Sequence, residues 1–283
     1  MPRNTRTPRP SGQLGAYELR YLLGSGGGGE VYLGEHIHLH SLAAVKVLHA
    51  DLVNERAEQF RREAQWLAQL APHPHIVRIL DYNIKNGRPF IVMDYAISGD
   101  LRKRHGAGKK VPLTSIVSYV KQLACGLQHA HDNGIVHCDV KPENMFVDSQ
   151  GRIMIGDFGI AVVNQGKISQ DEDIFGTTAY MSPEQIYGQP EPASDQYALA
   201  IVVYEWLTGR LPFNGGNKMA IVYKHLRDQP PSMRLRHPSI PTDVEKVVMK
   251  ALRKDPLQRY SSITAFAEAL EGAAASVRFL KRG

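Results

Sequence analysis

The chain has 283 residues, 43% of them hydrophobic, which is enough for a folded core and excludes disorder over most of its length. The net charge of +6 lies at the ends: 1–16 carries Arg3, Arg6 and Arg9, 272–283 carries Arg278, Lys281 and Arg282, neither stretch has an acid, and 17–271 balances to zero, which argues against a nucleic-acid-binding face. Two cysteines, Cys125 and Cys138, cannot staple a chain this long and suit a reducing compartment, no CxxC pair is present for zinc, and the longest apolar run, 197–207 with Glu205 inside it, is too short to cross a bilayer.

Residues 1–16, rich in Pro, Arg, Thr and Gly, read as a flexible basic tail, and no hydrophobic run follows the arginines to make a secretory signal. From Tyr17 the pattern is strand-like: 17–23, 30–36 and 42–48 are short segments of Val, Leu and Tyr separated by glycine or polar turns. Residues 54–71 read as a helix, because Phe60, Ala64, Leu67 and Ala71 recur at spacings of three and four, and Pro72 and Pro74 stop it. Two more strands follow at 76–82 and 89–95, with Asn86-Gly87 as their hairpin turn. Beyond a hinge at 94–100 the chain turns helical. Thr114 can cap a helix to His131 that closes on Asn133-Gly134. Short strands at 145–147 and 153–155 flank Ser149-Gln150-Gly151. Residues 159–181 have little periodicity, and a loop that long in a compact domain is usually functional. Helical patterns return at 194–207, 218–226, 242–253 and 262–272. The layout is α+β: a small antiparallel β lobe with one main helix at 17–95, a larger, mostly helical lobe at 100–271, and a basic tail at 272–283.

Four segments carry chemistry. Residues 24–29 read Gly-Ser-Gly-Gly-Gly-Gly between two strands. Glycine lets backbone N–H groups approach phosphate oxygens, although glycine runs also serve as linkers. Lys46 lies between Val45 and Val47 in a strand. Either it snorkels to solvent, or it pairs with a phosphate and a carboxylate, for which Glu63 on the next helix is the natural partner, because an unpaired buried ammonium is costly. The third segment, His137-Cys138-Asp139-Val140-Lys141-Pro142-Glu143-Asn144, precedes a strand, and the fourth, Asp157-Phe158-Gly159, follows the strand after it. Asn144 and Asp157 supply hard oxygen ligands for Mg2+, which keeps waters and phosphate oxygens as its other ligands. Asp139 can accept a hydroxyl proton and aim the nucleophile, and Lys141 can neutralise charge on a moving phosphoryl group.

To these the chain adds Gly-Thr-x-x-Tyr-Met-x-Pro-Glu at 176–184 and Asp195-x-Tyr197 in an apolar helix. In this order, over 17–271, the segments resemble the protein kinase superfamily, in particular its bacterial, eukaryotic-like Ser/Thr kinases. The resemblance implies the two-lobed kinase fold and transfer of the γ-phosphoryl group of ATP, with Mg2+ or Mn2+, to protein Ser or Thr hydroxyls, including the chain's own. It implies that Gly24, Ser25, Gly26, Gly27, Gly28 and Gly29 cover the ATP phosphates. Lys46 would contact the α- and β-phosphates and pair with Glu63. Val31, Ala44 and Phe146 would sandwich the adenine, Met93 would be the gatekeeper, the backbone of Asp94 and Ala96 would bond the adenine, and Asp100 would reach the ribose. Asp139 would be the catalytic base, Asn144 and Asp157 the metal ligands. Lys141 and Thr177, the threonine that bonds the catalytic Asp and Lys, mark Ser/Thr rather than Tyr substrates. Leu67, Ile79, His137 and Phe158 would stack as a packing column, Glu184 and Arg259 would form a buried ion pair, and Asp195 would hold the catalytic-loop backbone. The 176–184 stretch supplies a peptide platform that small-molecule kinases lack.

The chain departs from the family pattern in places. The family's His-Arg-Asp reads His137-Cys138-Asp139. That arginine meets a phosphate on the activation loop; Cys138 cannot, which puts control through Ser169, Thr177 or Thr178 in question. Asp171-Glu172-Asp173 either stands in for the phosphate or is a solvated acidic turn. Gly28 replaces the usual aromatic at the loop tip, so weaker ATP binding or slower turnover is expected. Cys138 is either a redox handle or a small space-filler. His36, His38 and His40 alternate and would share one strand face, as a metal site or as exposed hairpin residues. Two further readings remain: a pseudokinase scaffold without turnover, which would need Lys46, Asp139, Asn144 or Asp157 to be missing, and weak salt-sensitive binding of nucleic acid or anionic lipid by the basic ends. The partners implied are proteins with Ser/Thr acceptors and no specific nucleic acid. The compartment is cytoplasmic, at a membrane only if the native chain continues past 283 into an anchor, and the chain is a monomer or weak homodimer.

Overall fold

The computed structural model describes residues 12–26, 28–158 and 178–280, apart from the side chains at 51, 55, 59 and 277–280. Contacts divide them into two compact units: one holds the residues through Pro72 with Val77–Ile97, the other His73–Ile76 with the residues from Ser98 on.

The first unit is an antiparallel sheet with one long helix. Its strands are β1 (Gln13–Leu14), β2 (Tyr17–Gly26), β3 (Gly29–His36), β4 (Leu42–Leu48), β5 (Ile79–Lys85) and β6 (Arg88–Asp94), in the order β1-β2-β3-β4-β6-β5. Ala43, Val45 and Val47 pack with Phe90 and Val92, and Leu14, Tyr17, Leu19 and Tyr32 lie against them. The period of two then turns Ala44, Lys46 and Leu48 to the other face of β4. Helix α1 (Val53–Gln69) packs on β4, β5 and β6 and buries Phe60, Ala64 and Leu67. Ala71 falls outside it: the C-cap Leu70 is already extended before Pro72. Asn86 and Gly87 have φ of 52° and 76°, as a two-residue hairpin of this hand requires.

Four expectations are corrected. The strand at 76–82 begins three residues later, at Ile79, because Ile76 pairs instead with Ile155 in the second unit. Thr114 does not cap its helix; Pro112 occupies the N-cap position with no side-chain bond. The last helix does not stop at Gly272 but continues to Leu280, so much of the stretch expected as a tail is helical. His36, His38 and His40 do not share a strand face: β3 ends at His36, its Nδ1 accepts N–H bonds from His38 and Leu39, and among the described residues no three metal-ligating side chains converge.

The second unit contains α2 (Leu101–His105), α3 (Leu113–Asp132), β7 (Met145–Val147) paired with β8 (Ile153–Ile155), α4 (Pro183–Ile186), α5 (Pro192–Thr208), α6 (Lys218–Arg227), α7 (Met233–Arg236), α8 (Thr242–Ala251) and α9 (Ile263–Leu280). Helix α5 is its centre. Every residue from Ser194 to Thr208 is buried, under α3, α8 and α9, which is why the 197–207 run is apolar on every side apart from Glu205. Glu191 and Ser194 close a capping box at its start, and Gly209, with φ 75°, ends it. Among the described residues no helix is long and apolar enough to cross a membrane.

Candidate active site

In the first unit the glycine segment is the hairpin end of β2 and β3, with Gly24 paired to Val31, Ser25 to Glu30 and Gly26 to Gly29. Only one of the glycines measured there is demanded by the fold. Gly29 has φ 153°, and a Cβ on it would meet the Val47 carbonyl oxygen at 2.2 Å. Gly24, Gly26 and Gly28 have neither a left-handed φ nor any atom within 4 Å of an added Cβ. Gly27 lies outside the described residues. Lys46, half-buried on β4, is registered against Val31 on one side and Ile91 on the other, and Glu63 is half-buried on α1 in the same unit. Ala44 and Met93 are buried, and Val31, Asp94 and Ala96 half-buried. The Asp94 N–H donates to the Arg78 carbonyl at 3.0 Å, so its backbone can bond a ligand only through the carbonyl.

In the second unit the loop 137–144 is tied from several directions. Asp195 at the start of α5 accepts the N–H of His137 through Oδ2 at 2.8 Å and of Cys138 through Oδ1 at 2.9 Å; His131 Nε2 lies 2.8 Å from the same Oδ2. The Cys138 carbonyl accepts Gln185 Nε2 at 2.6 Å. These two bonds grip a non-glycine residue at φ 65°, a conformation that persists only where the surroundings over-determine it. His137 is fully buried; its Nδ1 accepts the Asp139 N–H at 3.1 Å, so Nε2 carries the proton and donates to the Gly156 carbonyl at 3.1 Å. Burial pushes its pKa down, which keeps it neutral, and its ring packs tilted against Phe158, centroids 4.3 Å apart.

The loop brings together three of the expected residues and a fourth beside them. The Asn144 amide donates to the Asp139 carbonyl at 2.8 Å, to Asp139 Oδ2 at 2.9 Å and, more weakly, to the Asp157 carbonyl at 3.4 Å. With both amide protons turned that way, the oxygen is the end that could hold a cation. Asp157 has φ 54°, a second non-glycine residue held left-handed at the site. Lys141 Nζ pairs with Asp139 Oδ2 at 2.8 Å. Phe146, half-buried on β7, bridges to Asp100, whose carboxylate caps α2 by accepting the Lys103 N–H at 2.8 Å.

Cys138 is 4% exposed. Burial, then the charges of Asp195 and Asp139, push its thiol pKa well up, which suits the space-filling reading and not the redox one. Thr177, Ser169 and the acids 171–173 lie outside the described residues. Thr178 is buried. Beyond it, Glu184 forms a two-point ion pair with Arg259 at 2.7 and 2.8 Å; burial raises its carboxyl, but the Arg259 bonds outweigh that and hold it below its usual value. Sequence reasoning missed Gln185, whose partner lies 47 residues away; its place beside Glu184 was the available signal.

A model of the protein kinase domain matches residues 17–271. The chain is 38% identical over 252 residues to the serine/threonine-protein kinase PrkC of Bacillus subtilis, covering 88% of this chain and 39% of that protein. It is 39% identical over 264 residues to the serine/threonine-protein kinase PknB of Mycobacterium tuberculosis, covering 89% and 42%, and 38% identical over 272 residues to the serine/threonine-protein kinase Pkn1 of Myxococcus xanthus, covering 93% and 39%. The chain belongs to the protein kinase domain family. It spans less than half the length of these relatives.

Proposed function

We propose that the chain is a Ser/Thr protein kinase that moves the γ-phosphoryl group of ATP to Ser and Thr hydroxyls of proteins, its own included. The observation that carries this reading is the Asn144 amide, which joins the carboxylate of the base Asp139 to the backbone of Asp157. The spare glycines support it. Gly24, Gly26 and Gly28 answer no steric need of the fold, whereas close approach of phosphates to backbone N–H groups gives them one.

The donor set fits a hard cation: the Asn144 amide oxygen and the Asp157 carboxylate suit Mg2+ or Mn2+, with nucleotide oxygens and water completing the shell. When bound, the ion supplies charge neutralisation at the phosphates. The protein's own groups do the rest. In the first unit the 24–29 loop and Lys46, supported by Glu63, carry the phosphates, and Val31, Ala44, Met93, Asp94 and Ala96 take the adenine. In the second, Phe146 takes the adenine and Asp100 the ribose. Asp139 receives the proton of the acceptor hydroxyl as its oxygen bonds to the γ-phosphorus; the bond from that phosphorus to the β-phosphate oxygen breaks and ADP leaves. Lys141, held on Asp139, offsets the charge of the moving group, and Thr177 steadies both. Holding these groups in place is most of the catalysis.

The experiment is phosphate incorporation from Mg·ATP into the protein itself and into a generic basic protein, sites mapped by mass spectrometry, with Asp157→Ala beside it. Incorporation on Ser or Thr that disappears in the variant is expected. A wild type that binds ATP and incorporates nothing would overturn the reading in favour of a nucleotide-binding scaffold.

A further inference from the structure

The even balance of charge over 17–271 hides an uneven distribution. Residues 101–131, 206–227 and 229–242 contain no Asp or Glu. The second unit brings these three stretches to one place. The Val111 N–H donates to the Trp206 carbonyl at 2.8 Å. Gly209, which ends α5, lies close against the 106–110 loop: a Cβ on it would stand 2.8 Å from the Gly108 carbonyl oxygen and 3.7 Å from Lys110 Cγ. Lys110 Nζ is 2.7 Å from Nδ1 of His237, the residue that follows α7. An ammonium can only donate, so Nδ1 accepts.

The face so formed is cationic. Lys109, Lys110, Arg210 and Arg236 are all exposed on it. Helix α7 packs on α5 and α8. Of the acids on those two helices, Asp195 and Glu205 are buried in their own bonds, to the 137–138 backbone and to Arg102. Asp243 pairs with Lys246 at 3.0 Å, and Glu245 turns to the start of α7, where it accepts the Ser232 hydroxyl at 2.7 Å and the Arg234 N–H at 3.0 Å. One large apolar side chain stands among the cations. Leu235, between Arg234 and Arg236, is 84% exposed, and such a side chain gains by leaving water.

We propose that this face of the second unit docks on an anionic phospholipid surface: Lys109, Lys110, Arg210 and Arg236 meet the headgroups, and Leu235 enters the acyl boundary beneath them. Two features favour lipid over an acidic protein. The cations are spread over three segments, and a charged surface accepts them in any register. The exposed leucine beside them is the apolar anchor that such a surface takes up. Docking of this kind is independent of the kinase reading. It is also distinct from any contact made by the basic ends of the chain, which stay the same in every variant below.

The full chain is sedimented with vesicles of phosphatidylcholine alone and with about 30% phosphatidylglycerol, at about 0.1 M NaCl. Wild type is expected to bind the anionic vesicles, to leave the neutral ones in solution, and to lose most of its binding at about 0.5 M NaCl. Lys109→Gln combined with Lys110→Gln should lower the partition coefficient about tenfold, and Leu235→Ser, which changes no charge, about threefold. If the double variant does not fold, Arg210→Gln is expected to lower it about threefold. Variants that all bind as the wild type does would assign the binding to the basic ends and overturn the inference. Equal binding to neutral vesicles would overturn it as well, and so would a wild type that binds neither kind. Capture by immobilised poly-glutamate without binding to vesicles would assign the face to an acidic protein and overturn the lipid.

Discussion

Between His137 and Asn144 the chain is held at almost every turn: Asp195 takes two N–H groups, Gln185 a carbonyl, and His137 and Asn144 reach back to Asp139. Between Gly24 and Gly29 the picture is different. The two strands pair, His49 Nε2 lies 3.1 Å from the Gly26 carbonyl, and at Gly24, Gly26 and Gly28 there is open space where a side chain would stand. The first loop carries the groups that must be aimed before the reaction, and the fold fixes them in advance. The second is proposed to close on a ligand, and ordering it there carries a cost in entropy.

Breaking the braced side should have the largest effect. Arg259 holds Glu184, and the next residue, Gln185, holds Cys138. Arg259→Ala leaves a buried carboxylate unpaired and is expected to cost about 3–5 kcal/mol in urea unfolding. The pH dependence should change sign as well. In the wild type the Glu184 pKa is depressed, so its contribution is present above the unfolded value and is lost as pH falls through the folded one. In the variant burial, the largest influence, is opposed only by the Ser194 hydroxyl, 2.8 Å from Glu184 Oε1, and a backbone bond, so the folded value is expected to rise above the ordinary one and stability to fall as pH rises past the carboxylate range. An unchanged unfolding midpoint would mean that the platform stands without this pair.

Smaller effects should separate the glycines of the open loop. Gly29→Ala brings a Cβ to 2.2 Å from the Val47 carbonyl at φ 153° and is expected to destabilise the chain by about 1–3 kcal/mol. At Gly28 an added Cβ meets nothing within 4 Å, so Gly28→Phe starts into open space. It should leave stability alone and lower the ATP KM about two- to fivefold, by removing backbone freedom that binding must otherwise quench. If both substitutions behaved alike, the distinction between a fold glycine and a ligand glycine would be lost.

The groups proposed to do chemistry could be named from the sequence because they lie close together in the chain: the glycine hairpin, Lys46 between two valines, and the loop from His137 to Asn144. The braces were not legible from spacing. Asp195 reaches 58 residues back to His137 and Arg102 reaches 103 forward to Glu205, and no periodicity reports such pairs; the first came from family resemblance, and the second only from the structure. Element ends failed for local reasons. The apolar run at Ile76 is divided between two units, and Gly272 was read as a stop although three alanines follow it and carry the helix on.

The central claim is that Asp139, held by Asn144 and Lys141, receives the acceptor proton. The most direct test compares wild type with Asp139→Asn, a change that keeps shape and removes the base, at saturating Mg·ATP and protein acceptor. Transfer to Ser and Thr is expected to fall by about 10²–10⁴-fold while ATP binding, followed separately, stays unchanged. A variant that transfers phosphate at the wild-type rate would show that the proton goes elsewhere and contradict the account.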